Sequence, residues 1–99
     1  MISDNVNAVI EFMPAQNMVS VLARVTAEPA RPLRWKLTVA TASPGGTTNV
    51  SQAGSTRGES SAPVSSVQVN RDAVGKAVLV VEDEHGVVAQ ETALLPPPG

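Results

Sequence analysis

The segment that decides the fold reads Leu33-Arg34-Trp35-Lys36-Leu37-Thr38-Val39, and its apolar and polar side chains alternate without a break. Successive side chains of a β-strand point to opposite faces of the sheet, so this pattern predicts a strand whose four apolar residues are buried. Residues 18–27 alternate in the same way, with Val19, Val21, Ala23 and Val25 on one face. The two segments together indicate strands of a half-buried β-sheet.

Proline and glycine divide the rest of the chain into pieces that are too short for long helices. The fourth predicted strand is polar and is expected to be a short edge strand exposed on both sides. The Ser/Gly-rich stretch Ser51–Ala62, which overlaps its end, is expected to be a loop with a frayed strand. The predicted strands are Val6–Met13, Met18–Ala27, Leu33–Val39, Thr47–Ala53, Val64–Val69, Lys76–Asp83 and Val87–Leu95.

Seven strands at this spacing are typical of an immunoglobulin-like β-sandwich. Trp35 on the third strand fits the buried indole of such domains, although any tryptophan of a small β domain is equally expected in its core. We therefore predict one all-β domain over residues 1–99, an immunoglobulin-like sandwich of about seven antiparallel strands. Residues 1–5 and 96–99 are expected to be flexible ends.

Composition excludes several classes of function. The formal net charge of −2 provides no broad field that would hold nucleic acid or an anionic membrane. The chain has no cysteine, which removes disulfides, thiolate nucleophiles and cysteine-based metal sites together. No stretch approaches the roughly 20 apolar residues of a membrane span. Residues 1–5 show no basic region followed by an apolar run, so for an exported protein the signal peptide is expected to have been removed from this sequence.

The sequence contains one histidine, His85, in a predicted turn beside Asp83 and Glu84. Consecutive turn residues rarely converge on one metal ion, and an exposed turn is a poor place for the base of a catalytic triad. The acidic run from residue 82 to 84, with Lys76 at the other end, is interpreted as charge that protects the apolar segment Ala77–Val81 from aggregation. We predict no catalytic residue, no metal and no cofactor, and hence no enzyme.

A basic cluster remains. Arg24, Arg31, Arg34 and Lys36 supply four of the seven basic residues, and Arg34 and Lys36 share the outward face of one strand. The cluster predicts a local positive patch for a partner, with Arg24, Arg34 and Lys36 as candidate binding residues. A solvated strand face, or charges that hinder pairing at a sheet edge, explains the same pattern equally well.

The order of several segments from about Val19 to Pro98 resembles the periplasmic curli-system inhibitors of Gram-negative bacteria, the CsgC/CsgH-like family. No single segment is diagnostic, and the likeness lies in their succession. These segments are Val21–Thr26, Lys36–Val39, Ser43–Gly46, Asn49–Gln52, Gly75–Val81, the acidic turn Asp83–Gly86 and Pro96–Pro98.

The enteric branch of that family has a Cys-x-Cys pair at the start of its third strand. The matching positions are Leu33 and Trp35, or Pro32 and Arg34 after a shift of one residue. Since it has no cysteine, the chain resembles the cysteine-free branch of the family, and no thiol function is carried over.

The resemblance implies a periplasmic, chaperone-like inhibitor that binds the major curli amyloid subunit and prevents premature fibril assembly. The partner would be an unfolded or early assembly species, and the inhibitor is expected to be a monomer that binds neither nucleic acid nor membrane. The alternative is a structural or adhesive β-sandwich module of a larger exported surface protein, with Pro96–Pro98 as a linker.

Overall fold

A computed structural model describes residues 5–59 and 62–95, and every regular element in these ranges is a β-strand. Burial alternates along the two strands that decide the fold, with buried inward residues and half-buried or exposed outward residues, as the sequence predicts. The strands are β1 (Asn5–Pro14), β2 (Met18–Glu28), β3 (Leu33–Ser43), β4 (Gly46–Thr56), β5 (Ser65–Asn70), β6 (Val74–Asp83) and β7 (Gly86–Leu95).

The strands form two antiparallel sheets. One sheet has three strands in the order β1-β2-β5, and the other has four in the order β4-β3-β6-β7. β4 pairs with β3, whereas the fourth strand of a constant-type immunoglobulin domain joins the other sheet. The prediction of an all-β sandwich of about seven antiparallel strands is confirmed.

The core lies between the two sheets and consists mainly of small branched side chains. Leu37 on β3 and Leu79 on β6 are fully buried, and the predicted inward side chains of β2 and β3 are all buried. Trp35 is 9% exposed and packs in the same core, as predicted. The strands β1 and β4, at sheet edges, contribute only half-buried side chains such as Ile10 and Val50.

The fourth strand differs from its prediction. β4 extends to Thr56, three residues beyond the predicted end at Ala53, so residues 54–56 of the predicted loop are strand. Its length follows from β3, which is also longer than predicted and pairs with β4 from Leu33 to Ser43 without interruption. Val50 and Gly54 are half-buried, so the strand is not exposed on both sides.

The turns agree with the sequence. Asp83 pairs with Gly86 across a two-residue turn, and Gly86 has a φ of 124°, which favours glycine. Asn5 begins β1 and pairs with Glu28, while residues 1–4 and 96–99, with the triple proline, lie outside the described ranges. Among the described residues, the structure has no helix with the length and apolarity needed to cross a membrane.

Candidate functional site

The outward face of the four-stranded sheet holds two of the three predicted binding residues. Arg34 and Lys36 are exposed on β3, directly opposite Ser55 and Ala53 of β4. On the other side of β3, their partners on β6 are Glu82 and Val80. Lys76 of β6 faces outward as well. Its partner on β3 is Ala40, which points to the same face as Lys36 because the two are an even number of residues apart, and paired residues share a face.

Most basic side chains of the described residues are engaged by other groups of the chain. The Arg24 Nε donates to Glu11, Arg31 pairs with Asp83 at 3.2 Å, Arg57 pairs with Glu59 at 3.1 Å, and Arg71 donates to the carbonyl oxygens of Ala15 and Gln16.

The remaining three cations are different. Within residues 5–59 and 62–95, the side chains of Arg34, Lys36 and Lys76 form no ion pair or hydrogen bond. All three lie on the outward face of the same sheet, and the strand residues of that face contribute one carboxylate, Glu82. We call this surface, defined by Arg34, Lys36 and Lys76, the cationic face.

Arg24, the third predicted binding residue, lies on the other side of the molecule. It is on β2 of the three-stranded sheet, whose outward face also carries Glu11 and Glu28. Since β2 and β3 belong to opposing sheets, their outward side chains point in opposite directions. The structure therefore does not bring Arg24 together with Arg34 and Lys36, although the three are close in sequence.

Sequence reasoning did not include Lys76 among the binding residues and interpreted it as protection for the apolar strand. The register of β3 against β6 identifies Lys76 as part of this face. Lys76 of β6 is paired with Ala40 of β3, which lies four residues along β3 from Lys36. At about 3.3 Å per residue, that separation is roughly 13 Å along the strand direction. The pairing of strands that are distant in sequence is not visible in a local pattern.

Small side chains border the cationic face along β4. Ala53 and Ser55 stand beside Lys36 and Arg34, and Ser51 lies beside Thr38 with the two hydroxyl oxygens 3.5 Å apart. Short residues leave room for the long Lys and Arg side chains to extend over β4 toward its outer edge.

A cleft of about 750 Å³ opens at the end of the sandwich where β3 begins and β4 ends. Arg34 lines it together with Arg57 and the turn between β6 and β7. Inside the cleft, the Arg31–Asp83 pair joins the start of β3 to that turn, and Asp83 also accepts the backbone N–H of His85 at 2.7 Å. The pair thus acts as a structural support at the end of the cationic face.

His85 is exposed in the turn, and its Nε2 lies 3.7 Å from a carboxylate oxygen of Glu84. In the ranges 5–59 and 62–95, no three His, Cys, Asp or Glu side chains come together in a group that could hold a metal ion. The predictions that the chain has no catalytic or metal site remain predictions.

Comparison with known proteins gives one structural match. No protein-family model matches the chain, and no curated protein does. The solution structure of CsgH from R. palustris aligns with a TM-score of 0.71 and 23% sequence identity, over 89% of this chain and 90% of that chain. CsgH is one of the two names borne by the family that the sequence resembles. The chain therefore has the β-sandwich fold of R. palustris CsgH.

Proposed function

We propose that this protein is a chaperone-like inhibitor of curli assembly, acting in the periplasm on the major curli amyloid subunit. The observation that carries the proposal is the cationic face, whose Arg34, Lys36 and Lys76 have no partners among the described residues of the chain. The resemblance of the sequence to the CsgC/CsgH-like family and the structural match to R. palustris CsgH support the choice of partner.

Cations without internal partners suit the capture of an acidic chain. An arginine already paired with a carboxylate would have to break that pair before binding another, whereas Arg34 and Lys36 would not. Their charge also accelerates encounter with an acidic segment at low ionic strength. Such contacts need no bound nucleotide and no covalent step, which agrees with the proposal that the chain is not an enzyme.

Inhibition requires contact with a species that precedes the fibril. Amyloid grows by adding extended segments to an exposed strand edge, and a protein that occupies such segments lowers the concentration of those able to pair with each other. Transient binding at a low ratio of inhibitor to subunit is enough to slow nucleation, because nuclei are rare compared with monomers.

The test is fibril formation by purified curli amyloid subunit, followed by the fluorescence of an amyloid dye. We expect substoichiometric amounts of this protein to lengthen the lag phase in proportion to concentration. A β-sandwich domain of similar size and net charge, but without a cationic sheet face, serves as the control and should leave the lag unchanged. An unaltered lag at an equimolar ratio would refute the proposed function.

A further inference from the structure

The sandwich has four edge strands, β1, β4, β5 and β7, and they differ in how they discourage the addition of another strand. Proteins protect edges with charged residues, proline, bulges or short strands. β1 carries Glu11 and ends at Pro14, β5 is six residues long, and β7 has a bulge and carries Glu91. β4 has eleven residues without charge or proline, in unbroken register with β3.

The backbone groups that β4 presents at its outer side can be identified from the packing of β3 on β6. A Cβ on Gly75 would collide with the carbonyl oxygen of Ala40, so this carbonyl points toward β6 and away from β4. Opposed residues of an antiparallel pair are alternately hydrogen-bonded and not hydrogen-bonded to each other. Because Ala40 points away from β4, it and its partner Asn49 are not hydrogen-bonded to each other, and Asn49 points its N–H and C=O away from β3. The same holds for every second residue, including Ser51, Ala53 and Ser55.

These positions on β4 are also the ones that border the cationic face. An added strand would lie roughly 10 Å from β3, two strand spacings away. A lysine or arginine that extends over the small side chains of Ala53 and Ser55 covers most of that distance, and a glutamate on the added strand covers the rest. Carboxylates at alternate positions of an extended segment would therefore meet Arg34 and Lys36.

We propose that β4 accepts an extended acidic polypeptide segment as an additional strand, with carboxylates at alternate positions directed to Arg34 and Lys36. This inference rests on the proposed function, in which the segment belongs to the amyloid subunit. Main-chain hydrogen bonds to β4 supply the affinity, and the two cations select the segment and fix its register. A segment held in this way has one of its own edges occupied and cannot offer that edge to another subunit.

The first measurement uses the wild-type protein and a labelled twelve-residue peptide in which threonine and glutamate alternate. Fluorescence anisotropy should show binding of this peptide and none of the matched threonine-lysine peptide. A third peptide keeps the glutamates but is N-methylated at alternate backbone nitrogens, so that it retains the charge and loses the donors on one edge. It should bind about 30- to 140-fold more weakly if two or three backbone hydrogen bonds, at roughly 1 kcal/mol each, are lost.

The second measurement changes the protein at Ala53, whose side chain makes no polar contact. Ala53→Pro removes an N–H at the outer side of β4, where proline is tolerated because no ladder bond is lost. Ala53→Val keeps that N–H and is the matched control. We expect the proline variant, which loses one hydrogen bond of about 1 kcal/mol, to bind the glutamate peptide about fivefold more weakly and the valine variant to bind within about twofold of wild type. Tryptophan emission and an amide NMR spectrum verify that both variants are folded.

The possible results separate the strand addition at β4 from the proposed function. Equal binding of the glutamate peptide and its N-methylated form would overturn the strand addition and leave a purely electrostatic contact. A dimer of this chain that dissociates on Ala53→Pro would assign the edge to a second copy and equally overturn it. In the fibril assay, suppose that the wild type inhibits and that the folded Ala53→Pro variant inhibits equally well. This result would refute the strand addition but not the proposed function. An inactive wild type refutes the proposed function, whatever the peptides do.

Discussion

Reversing the charge of Arg34 and Lys36 together, by Arg34→Glu and Lys36→Glu, tests whether the cationic face drives inhibition. Neither side chain has a partner among residues 5–59 and 62–95, so the cost to folding comes mainly from placing a second carboxylate directly opposite Glu82 of β6, the strand partner of Arg34. Like charges at directly opposed strand positions cost about 0.2–1 kcal/mol, which a folded domain tolerates. The effect on encounter with an acidic partner should be larger.

The magnitude follows from Coulomb energies in water. At a separation of about 7 Å, two unit charges interact by about 0.6 kcal/mol, and reversing one of them changes the energy by about 1.2 kcal/mol. Two reversals give about 2.4 kcal/mol, and screening at 0.1 M salt, where the Debye length is about 10 Å, leaves roughly half. The remaining 1.2 kcal/mol, approximately, corresponds to about an eightfold weaker association.

The assay is the dose dependence of the lag phase of fibril formation by the curli amyloid subunit. The reversed variant should need about eight times the concentration of wild type for the same delay at 0.1 M salt. The control variant, Arg24→Glu with Arg71→Glu, has the same net charge but changes cations that lie outside both the cationic face and the cleft lined by Arg34. The concentration of this control that gives the same delay should stay close to that of wild type. A folded reversed variant of full potency, or an equal loss in the control, would refute the assignment of this face.

The remaining predictions concern stability, measured by urea unfolding. A Cβ on Gly54 would lie 2.9 Å from Cζ2 of the buried Trp35, so Gly54→Ala should destabilise by about 1–3 kcal/mol and perturb tryptophan emission. Gly45→Ala, whose Cβ would meet nothing closer than 3.9 Å, should be near neutral, and equal unfolding midpoints would contradict the argument. Gln52→Ala removes the acceptor of the Ser65 hydroxyl between the two sheets and should cost about 1–3 kcal/mol, since Ser65 is buried. Gln68→Ala on the exposed face of β5 is its control, and a loss as large there would show that the bond between the sheets is not the cause.

Local alternation was sufficient to predict which residues form strands and which face the core. Residues 33–39 and 18–27 bury the inward side chains that their period of two predicts, while the outward side chains are exposed or half-buried in the first segment and half-buried in the second. The faces follow from sequence because burial of one side of a strand is a local property. The fold class follows from the number and spacing of such strands.

The composition of the candidate site was less accessible from sequence. Arg24 and Arg34 are ten positions apart, yet they lie on opposite outer faces because consecutive strands cross between sheets. Lys76 reaches the same face as Lys36 through the pairing of β3 with β6, which no local pattern reports. The length of β4 depends on β3 in the same way, since an edge strand of polar residues persists only where a neighbour pairs with it.

The unequal outer faces make the molecule an electric dipole. The four-stranded sheet presents three cations and one carboxylate, while the other sheet presents Arg24 between Glu11 and Glu28. These faces are separated by a body only about 20 Å thick. An approaching acidic chain therefore exerts a torque on the protein that turns the four-stranded sheet toward it before any contact forms. Electrophoretic mobility, which reports the small net charge, would not detect this orientation, whereas dielectric relaxation would.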